Sequence, residues 1–432
     1  MNKISTGVSD SMEGKTFSLM QNRGWKRILS IAIFIALLIY FIRAGVVNGW
    51  QMHSDFPNYY VSARALLEGK DITKIYDNTW FQQQIDSYGI HQTGKFLPFP
   101  PPTAFVMLPL APFDPLTAKR IWLIINLLLL IPLIRVISRS TGISLFQSSL
   151  LLLITGVALT NNFYLGQVYV PLLLSMFYGY DLTRHNKTFA AGVVWGIAAS
   201  IKYITVILLI PYLIKRDKKI LPGFIVGFLL LHLIAFPLMG AEVYRQYISI
   251  FFEHLNGKIE GQTPFAYQFQ SWDALLRRLF VVDPMNNPSP LINSIFLFQF
   301  IRASIEIIVI LIAAKMVYDF RKHPHFIEIS FAIIGISCFE ILPESSSYTF
   351  LLLTFPFIFL YLNSEHALPP IATQTILWLF IVIGCLPILL QEVVQPDSWF
   401  IFYRLSLMTV FYLVCLFWIR KIKLKFRESI SQ

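Results

Sequence analysis

One carboxylate, one isolated lysine and a few amides are the side chains in this sequence whose types and positions could carry chemistry. Asp55 stands in the run Met52-His53-Ser54-Asp55-Phe56-Pro57-Asn58-Tyr59-Tyr60, shortly after an apolar stretch that begins at Ile28. Pro57 stiffens the chain there, Tyr59 and Tyr60 offer aromatic walls with hydroxyls, and Arg64 follows on the next helix. A carboxylate partly buried in such a pocket has its pKa tuned upward and can accept the proton of an attacking hydroxyl. The competing reading is an ordinary helix N-cap or a solvated interfacial carboxylate. His53, with no third ligand nearby in sequence, suits acceptor contact better than metal binding.

Lys202 lies between Ile201 and Tyr203 in the middle of an apolar run. An ammonium at membrane depth is costly unless it faces a cavity or an anion, and phosphate is a fitting counter-ion. Glu344, in Leu342-Pro343-Glu344-Ser345-Ser346-Ser347-Tyr348, is a second candidate acid or ligand, against the plainer reading of a loop carboxylate. Arg277 and Arg278 either hold the amphipathic stretch 272–279 at the membrane surface or bind an anion. Arg302 and Glu306, four residues apart, can neutralise each other, and Arg43 and Arg404 near helix ends can snorkel. There is no Walker loop, GxGxxG, HExxH or Asp-x-Asp pair, so nucleotide and metal chemistry of the usual soluble kinds have no foothold. No cofactor or metal is called for.

The elements that must position these groups are helices in a membrane. With 56% hydrophobic and 14% charged residues and a mean hydropathy of +0.61, the 432-residue chain is too apolar for a soluble domain. Alternating strand patterns are absent, so an all-α polytopic bundle is expected. The net charge of +11 is spread in small Lys/Arg clusters beside apolar runs, a topology signal and not a nucleic-acid-binding face. Cys338, Cys385 and Cys415 sit inside apolar runs without paired spacing and read as buried bystanders. No cleavage site follows the first apolar run, so it is expected to be a retained helix.

Lys26 and Arg27 set the cytoplasmic flank of a first crossing at about 28–47, which delivers residues 48–119 to the outside. In that loop, 61–67 reads as an amphipathic interfacial helix, 69–71 as a turn and 96–102 as a rigid aromatic and proline-rich segment. Hydropathy then predicts about twelve crossings, with a pair of short ones turning outside near Lys202 and a second external loop at 239–290. This gives a cytoplasmic segment 1–27, a single transmembrane domain 28–419 and a basic cytoplasmic tail 420–432. Both termini fall inside, and the polar loops fall on the extracytoplasmic face of what is expected to be a prokaryotic plasma membrane.

The order Ser54-Asp55-Phe56 with Tyr59-Tyr60, Ala63-Arg64-Ala65-Leu66-Leu67-Glu68-Gly69-Lys70-Asp71, Phe99-Pro100-Pro101-Pro102, Leu108-Pro109-Leu110-Ala111, Trp122 and Asn126, Gly166-Gln167, the stretch 192–202, and Gln270-Ser271 before Arg278 resembles glycosyltransferase family 87. The resemblance implies the C-type glycosyltransferase fold. It also implies an inverting transfer of mannose, or a related hexose or pentose, from a polyprenyl-phosphate donor to a glycolipid or glycan hydroxyl. It makes Asp55 the base. From the residues themselves, substrate binding is expected at His53, Tyr59, Tyr60, Arg64, Gln167, Lys202, Gln270, Ser271, Arg278, Glu344 and Tyr348, with Lys202 and Arg278 holding the leaving phosphate. The sequence departs from the family where a His is usual: Tyr348 or Thr349 stands there. The rival reading is a polytopic transporter or lipid flippase, which would be expected to show inverted repeats and midplane ionisable residues. A non-catalytic membrane scaffold fits the composition but leaves Lys202 and the Asp-Phe-x-x-Tyr-Tyr order unexplained.

Overall fold

The computed structural model describes residues 24–255, 265, 269–343, 345–390 and 399–431. In chain order the α-helices are α1 (Gly24–Tyr40), α2 (Phe56–Leu67), α3 (Asn78–Ser87), α4 (Pro115–Thr141), α5 (Leu145–Ile154), α6 (Val157–Leu165), α7 (Tyr169–Arg184), α8 (Thr188–Ile201) and α9 (Ile210–Ile214). There follow α10 (Ile220–Leu255), α11 (Trp272–Phe280), α12 (Ile295–Asp319), α13 (Phe326–Ile341), α14 (Thr354–Ala367), α15 (Pro370–Leu390) and α16 (Tyr403–Ser431). No strand occurs among the described residues. The protein is an all-α, polytopic, integral membrane protein.

Local chemistry sets many of the boundaries. Asp114 accepts a hydrogen bond from the Thr117 amide ahead of Pro115, and Gly142 in the left-handed region closes α4. Ser144 and Gln147 form a reciprocal capping box on α5. Between α5 and α6 the chain turns by 78° at Gly156, whose φ of 53° favours glycine.

Among the described residues, seven helices are long and apolar enough to cross a membrane, or eight if bent α5–α6 is one span. Twelve is therefore not reached on length. The difference lies in helices such as α7, α8 and α13, of 16, 14 and 16 residues, which rise about 21–24 Å against a hydrocarbon core of about 30 Å. They are apolar because they are packed inside the protein, with Phe177, Trp195 and Phe331 fully buried. Hydropathy does not separate a core-facing helix from a lipid-facing one. The helix expected at 61–67 also differs: α2 starts at Phe56, and residues from Phe56 to Ala63 are all buried. It is a core element, not an amphipathic surface helix.

Two facing pairs of glycines fix α8 against α10. Gly192 and Gly196 lie against the backbone at Ile220 and Phe224, and Gly223 and Gly227 lie against the carbonyls of Phe189 and Val193. Backbone meets backbone at this crossing, the small-xxx-small packing of membrane helices. Ser200 adds a hydrogen bond of 3.0 Å to the Phe228 carbonyl, and Thr103 donates to the freed Ile201 carbonyl at 3.0 Å. The last turn of α8 is thus anchored where Lys202 begins.

Basic side chains gather at the other end of the bundle. Arg139, at the far end of α4, holds Asp181 through two hydrogen bonds, Lys215 donates to the Arg321 carbonyl and Lys423 pairs with Asp319. A Cβ at Gly196 would overlap the Phe224 carbonyl, which cannot move aside as a flexible side chain could. Gly196→Leu is therefore expected to cost about 3 kcal/mol, read as a lower Tm in detergent, whereas Gly24→Ala, with open space around it, leaves the Tm unchanged.

Candidate active site

Asp55 occupies the N-cap position of α2, yet its side chain makes no capping hydrogen bond. Asp77, Asp114, Ser144, Ser271 and Ser294 do cap the helices they precede. The Asp55 carboxylate turns instead to Gln167, whose Nε2 donates to Oδ2 at 2.6 Å. The Tyr59 hydroxyl donates to Gln167 Oε1 at 2.7 Å. An ionised carboxylate only accepts, so Asp55 takes the amide N–H and leaves Oε1 to the Tyr59 hydroxyl. Tyr59 is fully buried and stacks on Phe99, 5.0 Å between ring centroids.

Burial raises the Asp55 pKa above the ordinary carboxylate range, opposed in part by hydrogen bonds from Gln167 and Tyr348 and by the charge of Lys202. Burial is the larger effect because the carboxylate, though it faces a cleft, is largely surrounded by protein atoms that replace water. That cleft, of about 130 Å³, is lined by Asp55, Asn58, Lys95, Phe99, Gln167, Tyr169, Lys202, Tyr203, Phe269, Pro343 and Tyr348 among others. Lys202 departs from helical geometry, with φ −145° and ψ 113°, and its Nζ lies 4.2 Å from the Phe99 ring centroid and 5.4 Å from that of Tyr169. Lys95 shares the cleft and is only 6% exposed; its backbone amide is held by Asn58 Oδ1 at 2.8 Å. One acid and two lysines thus face a largely aromatic space.

The family model for glycosyltransferase family 87 matches residues 96–338. The chain belongs to glycosyltransferase family 87. No curated protein and no solved structure matches it. Within this family 87 membrane glycosyltransferase the matched span includes Gln167 and Lys202 but neither Asp55 nor Tyr348. The reading of the carboxylate therefore stands on geometry.

Of the residues singled out from the sequence, Asp55, Gln167, Lys202 and Tyr348 line one cleft. Tyr59 stands behind Gln167. Others are committed elsewhere. Tyr60 donates to the Phe113 carbonyl at 2.7 Å, and Arg64 binds Glu68 and the Ala111 carbonyl, both at 2.5 Å. Arg64 and Tyr60 therefore brace α2 against the 110–113 turn. His53 bonds the Asn48 carbonyl at 2.9 Å and stacks on Tyr164, and burial lowers its pKa.

Ser271 caps α11 and donates to the Pro343 carbonyl at 2.5 Å, while the Gln270 amide reaches the Ser345 carbonyl at 3.2 Å. This pair ties α11 to a wall of the cleft instead of lining it. Arg278 donates to the Phe265 carbonyl at 2.7 Å and is absent from the cleft wall. Glu344 lies outside the described residues. Lys95, in the polar run Thr93-Gly94-Lys95, and Lys119, at the end of the 48–119 loop, are functional candidates that no sequence pattern singles out. A lone lysine in a polar loop carries no periodic signal that would mark it.

The Tyr59 hydroxyl orients Gln167 and touches nothing else among its hydrogen-bond partners. Tyr59→Phe keeps the ring stacked on Phe99 and removes that constraint. Sugar transfer is expected to slow about tenfold, the effect of about 1.4 kcal/mol of lost positioning, with the substrate KM nearly unchanged in steady-state assays.

Proposed function

We propose that this glycosyltransferase moves a sugar, mannose or a related hexose or pentose, from a polyprenyl-phosphate donor to a hydroxyl of a glycolipid or glycan, with inversion at the anomeric carbon. The observation that carries the proposal is that the Asp55 carboxylate leaves its capping role and faces a cleft across which Lys202 and Lys95 stand. In this reading an acceptor O–H gives its proton to Asp55 as its oxygen attacks the anomeric carbon. The bond from that carbon to the phosphate oxygen breaks on the opposite face, and the electron pair stays with the phosphate.

The donor is a phosphodiester with one negative charge, and the departing lipid phosphate is a monoester that gains a second. Two ammonium groups in a cleft of low dielectric favour the second charge, which develops only as the bond breaks. Lys95 takes the part that sequence reading gave to Arg278. A second carboxylate is not required, because the phosphate leaves without a proton. The aromatic wall of Phe99, Tyr169 and Tyr203 suits the apolar face of a sugar ring.

Orientation follows from charge. The positive-inside rule supports reading the Arg139, Arg184, Lys215 and Arg321 end opposite the cleft as cytoplasmic, with the cleft on the extracytoplasmic face of the membrane and both termini in the cytoplasm. A lipid-linked donor meets the constraint this imposes, since nucleotide sugars are cytoplasmic. One transmembrane domain then carries the whole site, flanked by segments 1–27 and 420–432.

Asp55→Asn is expected to lower transfer from a polyprenyl-phosphate sugar by about 10²–10⁴-fold in purified protein; transfer at the wild-type rate would remove Asp55 as the base. The raised pKa of Asp55 sets two signs. Activity needs the deprotonated carboxylate, so kcat/KM falls as pH drops through the folded-state pKa, and the acid limb lies above the ordinary carboxylate range. Burying the charge also destabilises the fold, by an amount absent below the unfolded-state pKa and fully developed above the folded one. The inactive Asp55→Asn protein should therefore melt higher than wild type at neutral pH, and that advantage should vanish in acid.

A further inference from the structure

Lys119 is fully buried in the first turns of α4, among the largest enclosed side chains of the protein. Its Nζ donates to the carbonyls of Phe163 at 2.8 Å and Tyr164 at 3.1 Å, the last turn of α6. One helical turn along α4, Trp122 Nε1 donates to the carbonyls of Gly166 at 3.1 Å and Gln167 at 3.3 Å. Two side chains on one face of α4 thus hold successive carbonyls of the turn that carries Gln167. Gly166 has φ 74°, and a Cβ there would press on Phe56 and on Lys119 Nζ itself. The Gln167 backbone N–H closes the turn on the Asn162 carbonyl at 2.8 Å.

The ammonium also lies 5.9 Å from the centroid of the Phe56 ring, the residue next to Asp55, and is close enough to Asp55 and His53 for direct electrostatic interaction. Burying an ammonium costs several kcal/mol unless its donors are satisfied. Two carbonyls at a helix C-terminus, where the dipole is negative, offset that cost. A neutral side chain would satisfy the packing with less expense, so the charge itself calls for a reason.

We infer that Lys119 is a positioning residue for the base: it fixes the α6 end so that Gln167 meets Asp55, and it sets a positive charge behind the carboxylate, opposite the cleft. The inference rests on Asp55 being the base of the proposed reaction. Lys202 and Lys95 face Asp55 from the cleft, Tyr348 from the 342–348 loop, Tyr59 from α2 and Tyr169 from α7, and His53 lies on the Lys119 side. Lys119 is the cation of this set that no substrate can reach.

The test compares full-length Lys119→Gln, which keeps a donor for the carbonyls but no charge, with Lys119→Arg, which keeps the charge. Modification of Asp55 by dicyclohexylcarbodiimide, which reacts with the protonated carboxyl, is followed against pH by peptide mass spectrometry. The midpoint is expected to rise by about one pH unit in Lys119→Gln, the scale of one nearby opposite charge, and to stay near wild type in Lys119→Arg. The acid limb of sugar transfer should move with it.

An unchanged midpoint in folded Lys119→Gln, or an equal rise in both variants, would overturn the inference. If Lys119→Gln is not recovered folded, Trp122→Phe decides: loss of the indole N–H should raise the midpoint and lower kcat more than it raises KM. No change there would show that α4 does not position the turn. The labelling needs no substrate, so a wild-type protein that transfers no sugar from a polyprenyl-phosphate donor counts against the proposed function and leaves the midpoint readable.

Discussion

A carboxylate enclosed by protein can stay charged only if donors are held against it. The hydrogen bond from Gln167 to Asp55 is the contact on which this structure turns. A hydrogen bond to a charged group is worth about 1.5–3 kcal/mol when its geometry is kept. Keeping it requires the turn at Gly166, the end of α6, two side chains of α4 and the hydroxyl of Tyr59. Of these only Tyr59, one helical turn on, is local to Asp55 in sequence. The site is therefore a property of the packed bundle.

The other side of the cleft is built by a different device. Lys202 enters because α8 stops there, and α8 stops at a fixed height because its glycines lock against those of α10. Lipid supplies no hydrophobic drive between helices, so close packing and interhelical hydrogen bonds have to set the register. Two separate packing systems, α4 with α6 and α8 with α10, thus bring an acid and a lysine to one space. The tie of Ser271 and Gln270 to the 343–345 segment closes that space at a third edge.

The all-helical class and the membrane setting were legible in composition, because apolar content is a bulk property. The number of crossings is less legible: seven or eight helices among the described residues pass on length and composition, and α7, α8 and α13 are shorter and packed inside the protein. Asp55, Lys202 and Gln167 could be picked out as charged or amide groups among apolar or aromatic neighbours, where polarity is costly and has to be explained. Arg64, Tyr60, Ser271 and Arg278 carry equally suggestive types, yet each donates to a backbone carbonyl that no sequence pattern marks. Side-chain type shows what bond can form; tertiary neighbours decide with whom. Lys119 shows the converse, since beside Arg120 at a helix start it has the sequence signature of a membrane-interface flank.

The arrangement of charge has a logic that no single contact shows. Burial makes Asp55 a stronger base by raising its pKa, and the same burial lowers the fraction ionised at a given pH. Lys202 and Lys95 alone could restore ionisation, but the proposed leaving phosphate would engage them, and their effect on Asp55 would weaken as the donor binds. A cation behind the carboxylate, tied to α6 carbonyls and out of reach of the cleft, acts equally with the site empty or filled. Lys119 meets that condition. In the proposed reaction, cations in front would answer to the phosphate while the one behind answers to the base, so that one cleft could hold an anionic donor and an anionic base together.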